Sequence, residues 1–299
     1  MTHLIAAEWL KTRTRWLPWV LLIVLILGAG VQVWLLGYTA WWDLHDESNP
    51  DLRSDLPLAI RSFTLPYAIP SLLDSGQFWG SVIIGILISS MVATEYNWGT
   101  VRHAIARGQS RDNWLTIKLV GTALFCAGLL LLTLAWGIAS AVITSNMAGF
   151  DVRLDPPGPA ELNPLEIPVM VLRAAMGILP YALLAFALAT IGRSTALGAA
   201  GIILFVLIEA VVIAIMGARG GIWEDMLVFT IGHNAASLLA ANRIDDGEYA
   251  TLAFREVPDA SELPDPWLSF IMLCAWSVLL LTITYYVFNR RDLRLGTGE

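Results

Sequence analysis

The residues best equipped for chemistry lie in one polar, basic run of an otherwise apolar chain. It reads Glu95-Tyr96-Asn97-Trp98-Gly99-Thr100-Val101-Arg102, then His103-Ala104-Ile105-Ala106-Arg107-Gly108-Gln109-Ser110-Arg111. Guanidinium groups such as those of Arg102 and Arg107 suit docking, because they pair with acidic groups on a partner. Gly99 and Gly108 permit sharp turns. Between them, Val101, Ala104 and Ile105 give a turn or two of short amphipathic helix. A basic loop that only enforces orientation is the plainer reading of the same residues.

Catalytic patterns are missing. The four histidines, His3, His45, His103 and His233, lack metal-ligand spacing, and neither H-E-x-x-H nor G-x-S-x-G occurs. A phosphate-cradling loop needs Gly-Lys before Ser or Thr. The only lysines, Lys11 and Lys118, follow Leu10 and Ile117. The chain is therefore read as no enzyme, without a metal or cofactor of its own. Any work it does must be powered from elsewhere.

Two further sites carry charge. The segment 2–15 sets Leu4, Ile5, Ala7 and Leu10 beside Glu8, Lys11 and Arg15 at helical spacing, with Arg13 between. It reads as an interfacial helix over 1–16. Arg173 and Glu209 each fall inside an apolar run, at similar expected depth. Charges there are costly and normally pair or face a polar cavity. An ion pair between their helices, or a polar wall of a substrate path, is expected.

The elements that must position these residues follow from composition. Of 299 residues, 57% are hydrophobic and 14% charged, against roughly 25% charged in a soluble domain. A span needs about 20 apolar residues. Six stretches qualify, near 17–37, 78–94, 114–144, 167–191, 196–216 and 267–288. The first is longer than the roughly 7–15 residues of a signal-peptide core, so a retained helix is expected. No polar–apolar alternation marks a barrel wall. The expectation is a single all-α polytopic membrane domain of six transmembrane helices. Cys126 and Cys274 read as small apolar residues within it.

Charge asymmetry sets the orientation. One side carries Lys11, Arg13, Arg15, Arg102, Arg107, Arg111, Lys118, Arg193, Arg290, Arg291 and Arg294. The other has six arginines over longer segments and most of the acids. The first side, with both termini, is read as cytoplasmic. That leaves 95–113 as a cytoplasmic loop and 39–77, 146–166 and 217–266 as extracytoplasmic segments. Trp34, Tyr38, Trp41 and Trp42 read as interface anchors at the end of helix one. Within the last segment, 226–241 is too short to span and reads as a surface or re-entrant helix. The net charge of −7, without a basic stripe, argues against nucleic acid.

The pattern Glu95-x-x-x-Gly99-Thr100-x-Arg102, followed by Ser110-Arg111 and Lys118, resembles the ABC-2 type transporter permeases. Glu8-Trp9-Leu10-Lys11 and Arg13 before helix one, and the six-helix order, are similar too. The resemblance implies a permease working as a dimer with two copies of a separate ATP-binding subunit. ATP and Mg²⁺ would sit in that subunit. Glu95, Trp98, Gly99, Thr100, Arg102, Ile105, Arg107 and Arg111 would form the coupling loop. Glu8, Lys11 and Arg13 would be elbow-helix contacts. An amphipathic or lipid-like compound or peptide would be exported. The long segment 39–77 departs from the family pattern. It suggests an alternative, a mechanotransmitting subunit acting on an extracytoplasmic partner.

Overall fold

A computed structural model describes residues 9–11, 13–45, 55–152, 164–244 and 263–290. The protein is all-α, and among the described residues six helices are long and apolar enough to cross a membrane. They are α1 (Trp16–Leu44), α3 (Ala68–Asn97), α5 (Arg111–Met147), α6 (Ile167–Gly192), α7 (Thr195–Arg219) and α9 (Pro266–Arg290). Shorter helices between them include α2 (Leu56–Phe63), α4 (Thr100–Ala106) and α8 (Ile231–Ala240). The chain is a multi-pass membrane protein.

Long α3 and α6 form the centre. They pack on each other, and α7 lies against both. Close approach depends on missing side chains: a Cβ on Gly85 would stand 2.9 Å from the Ile202 side chain. The outer face of α7 is apolar and open, with Leu204, Leu207, Ile208 and Val211 exposed. α5 has 37 residues, about 55 Å at 1.5 Å per residue, so it outruns a hydrocarbon core of about 30 Å. It starts at Ser110, whose hydroxyl accepts from the Asn113 backbone N–H at 3.3 Å.

Two helix limits differ from the hydropathy reading. Helix one was expected to end near 37 but continues to Leu44, through a π-helical stretch at Val31–Thr39. The second long helix was expected near 78 but begins at Ala68. For α3 the cause is pairing between polar residues that hydropathy counts against a span. Buried Gln32 donates to the Ser71 hydroxyl at 2.9 Å and accepts from Ser75 at 3.0 Å. The segment after α1 also folds back. α2 packs on the π-helical stretch, and fully buried Phe63 meets Tyr38, Trp41 and Phe150. Tyr38 and Trp41 are thus packing residues; Trp42, 58% exposed, fits an interface anchor.

Candidate partner-coupling site at the basic end

Glu95 sits in the last turn of α3 and is 1% exposed. Its carboxylate gathers residues from three elements. Lys118 of α5 lies 3.3 Å away and is itself buried. Lys11 approaches to 3.5 Å and Arg15 to 3.7 Å from the segment before α1. Thr100, the first residue of α4, donates its hydroxyl to the same carboxylate and to the Glu95 carbonyl. Arg15 also donates to Thr94 at 3.0 Å and lies over the Trp98 ring at 5.0 Å. One buried anion among three cations is well compensated, and it fixes the elements that bring them.

α4 is mounted on this hub. Gly99 precedes it at φ 67° and Gly108 follows at φ 91°. Both values lie in the left-handed region that glycine enters at no steric cost. Val101, Ala104 and Ile105 turn inward on a core with Trp114, Leu115 and Phe288. Trp98, His103 and Arg107 remain exposed. Arg102 is half-buried and, with Tyr96, Asn97 and Arg193, lines a crevice of about 170 Å³. Arg193 reaches it from the tight α6–α7 turn, where its own φ is 49°, and lies over the Tyr96 ring.

The expected coupling residues therefore divide. Trp98, Arg102 and Arg107 face outward, wholly or partly. Gly99 and Thr100 shape the mount. Glu95 and Ile105 are turned into the protein, because an apolar stripe and a carboxylate with three cations are more stable there than in water. Arg111 is engaged within the chain: it donates to the Asn289 carbonyl at 2.8 Å and caps the end of α9. Asn289 donates back to Asp112 at 2.7 Å. Of the expected elbow contacts, Lys11 joins the hub and Arg13 is exposed. Glu8 lies outside the described residues. Arg193 is read from sequence only as an orienting charge, and Arg15 as that and as a member of the interfacial helix. Arg15 recurs four residues after Lys11, on the same helical face, which was the available signal.

Arg173 and Glu209 do not pair with each other; they hold opposite ends of α8. Glu209 accepts from the backbone N–H of Ile231 at 2.7 Å and of Gly232 at 3.1 Å, and from the Tyr181 hydroxyl at 2.5 Å. Arg173 donates to the Ala241 carbonyl at 2.7 Å and to the Asn242 side chain at 3.2 Å. The α8 backbone draws each charge to the dipole end it suits, about 15 Å apart over ten residues. Glu209 lies ten residues before the end of α7, so α8 starts about 15 Å back along that helix. Irregular backbone packed among spans needs internal partners. Asn234 donates to the Val228 and Thr230 carbonyls, and Trp276 to that of Phe229.

A family model, described as a protein of unknown function (DUF2705), matches residues 75–294. The chain belongs to this family. No curated protein matches it. Within this DUF2705 chain the match takes in the hub carboxylate, α4, the crevice and both brackets of α8. α1 and the basic residues before it lie outside the match.

Proposed function

We propose that this chain is the permease subunit of an ATP-driven transporter of ABC-2 type, exporting an amphipathic or lipid-like compound or peptide across a bacterial plasma membrane. It would act as a dimer with two copies of an ATP-binding subunit. The observation that carries this reading is the mounting of α4. A short helix stands at the basic end between two left-handed glycines, joined directly to α3 and α5. The Glu95 hub couples it to the segment before α1 as well. A partner gripping Trp98, His103 and Arg107 would move three elements together. The crevice between Arg102 and Arg193 suits an acidic side chain of that partner.

The alternative, force on an extracytoplasmic partner through 39–77, has less support. The described part of that segment is spent on packing, with Phe63 buried in the bundle.

The test is a pull-down of the full chain from its native membrane, with an ATP-binding subunit expected among the co-purified proteins. Arg102→Glu with Arg107→Glu is expected to lose that subunit while the permease still purifies intact. Arg219→Glu, at the opposite end, is expected to retain it. Equal recovery with all variants would overturn the docking assignment.

A further inference from the structure

A hollow of about 280 Å³ lies among α1, α3, α5 and α6. Two glycines on facing helices open it: a Cβ added at Gly28 or at Gly76 would meet nothing within 4 Å. Its walls are almost wholly aliphatic. The polar exceptions, Gln32, Ser75 and Thr133, collect toward the acidic end. Val24, Val31 and Trp79 line it and are also exposed on the bundle's surface, so it opens sideways. A second hollow of about 160 Å³ shares Ile84, Leu130 and Ile178 as walls and lies toward the basic end; its Thr122 hydroxyl donates to the Lys118 carbonyl at 2.7 Å. Along α5 the two run from Leu134 to Leu119, about 22 Å at 1.5 Å per residue.

We propose that the larger hollow is a binding site for a single acyl chain, its polar head toward Gln32, Ser75 and Thr133 and its tail directed toward the basic end. The lining decides the class. The larger hollow is apolar, with hydrogen-bonding groups gathered at one end. Apolar cavities of this size stay dry and take apolar ligands, and a few placed polar groups fix orientation. A lateral mouth beside Trp79 admits a chain from the bilayer without passage through water. The site gives the lipid-like cargo of the preceding reading a location. Its test, however, reads binding alone, so the site and the ATP-driven reading fail separately.

The purified full chain in nanodiscs is exposed to two photoactivatable probes. One is palmitic acid with a diazirine on its chain; the other is a diacyl phosphatidylethanolamine with the diazirine on one acyl chain. Labelled peptides are then identified by mass spectrometry. Labelling is expected in peptides containing Trp79 and Leu130, and is expected to be lost in Gly28→Leu with Gly76→Leu. Those substitutions replace helical glycine with a good helix former in open space, so thermal stability should not fall. If the pair does not fold, Gly76→Leu alone is read. Labelling by palmitic acid only assigns a free single-chain amphiphile, and labelling by the phospholipid assigns a bilayer lipid. No labelling of these peptides, or equal labelling in the filled variants, overturns the site.

Discussion

Glu95 belongs to the basic run expected to dock a partner, yet its side chain is turned inward. Its carboxylate contacts Lys118, Lys11 and Arg15, and the two ends of its tightest pair, Glu95 and Lys118, are both buried. The two are not equivalent. Glu95→Gln leaves Lys118 buried without its anion, and breaking a buried pair in this way costs about 3–5 kcal/mol. Lys118→Met removes a buried charge, while Glu95 keeps Thr100 and the two exposed-side cations. Thermal unfolding in detergent should therefore rank wild type above Lys118→Met, and Lys118→Met well above Glu95→Gln. The Glu95 variant should also become more sensitive to trypsin at Arg13 and Arg15. Similar melting points for the two variants would refute the hub.

The element most at odds with a simple hydropathy reading is α8. Its length and its polar centre were legible: a stretch at 226–241 holding His233 and Asn234 is too short to span. Its anchors were not. Arg173 and Glu209 stand out as charges in apolar runs, and their similar expected depth invites pairing. Sequence carries no sign that a third helix lies between them and offers each a better partner. Tyr181 and Trp276 look like ordinary span residues until that helix is placed. The geometry yields a sharp expectation for the exchange Arg173→Glu with Glu209→Arg. A true ion pair would be restored by the swap. Here each exchanged charge faces the wrong end of α8: a carboxylate meets the Ala241 carbonyl and a guanidinium meets the Ile231 and Gly232 N–H groups. The double variant should be less stable than either single neutral variant, Arg173→Met or Glu209→Gln. Recovery of the melting temperature in the swap would restore the direct pair.

At the scale of the whole molecule, the six spans follow from apolar length and their orientation from charge, because lipid enforces both strongly; the end of α1 and the start of α3 do not. What sequence left unread was the polar cross-linking of α1 to α3 through Gln32, Ser71 and Ser75, since serines and an amide lower hydropathy whether or not they bond each other. The structure gathers Lys11, Arg15 and Lys118 on Glu95, Arg193 on Tyr96, and Arg111 on the end of α9. Both ends of the described bundle thus meet at one basic face, which the positive-inside rule assigns to the cytoplasm. α8 is the deciding element. Ten residues rise about 15 Å, half of a hydrocarbon core, so the chain before and after α8 emerges on the same acidic side. Single cysteines at Gly108, Gly220 and Leu263, in a background with Cys126 and Cys274 replaced by alanine, read this directly. In intact cells a membrane-impermeant maleimide should label the variants at 220 and 263 and spare the one at 108, which should react only after permeabilisation. A crossing α8 would instead protect the position at 263 while leaving 220 reactive, and that single reversal would move the end of α9 away from Arg111 and dissolve the basic face on which the coupling site depends.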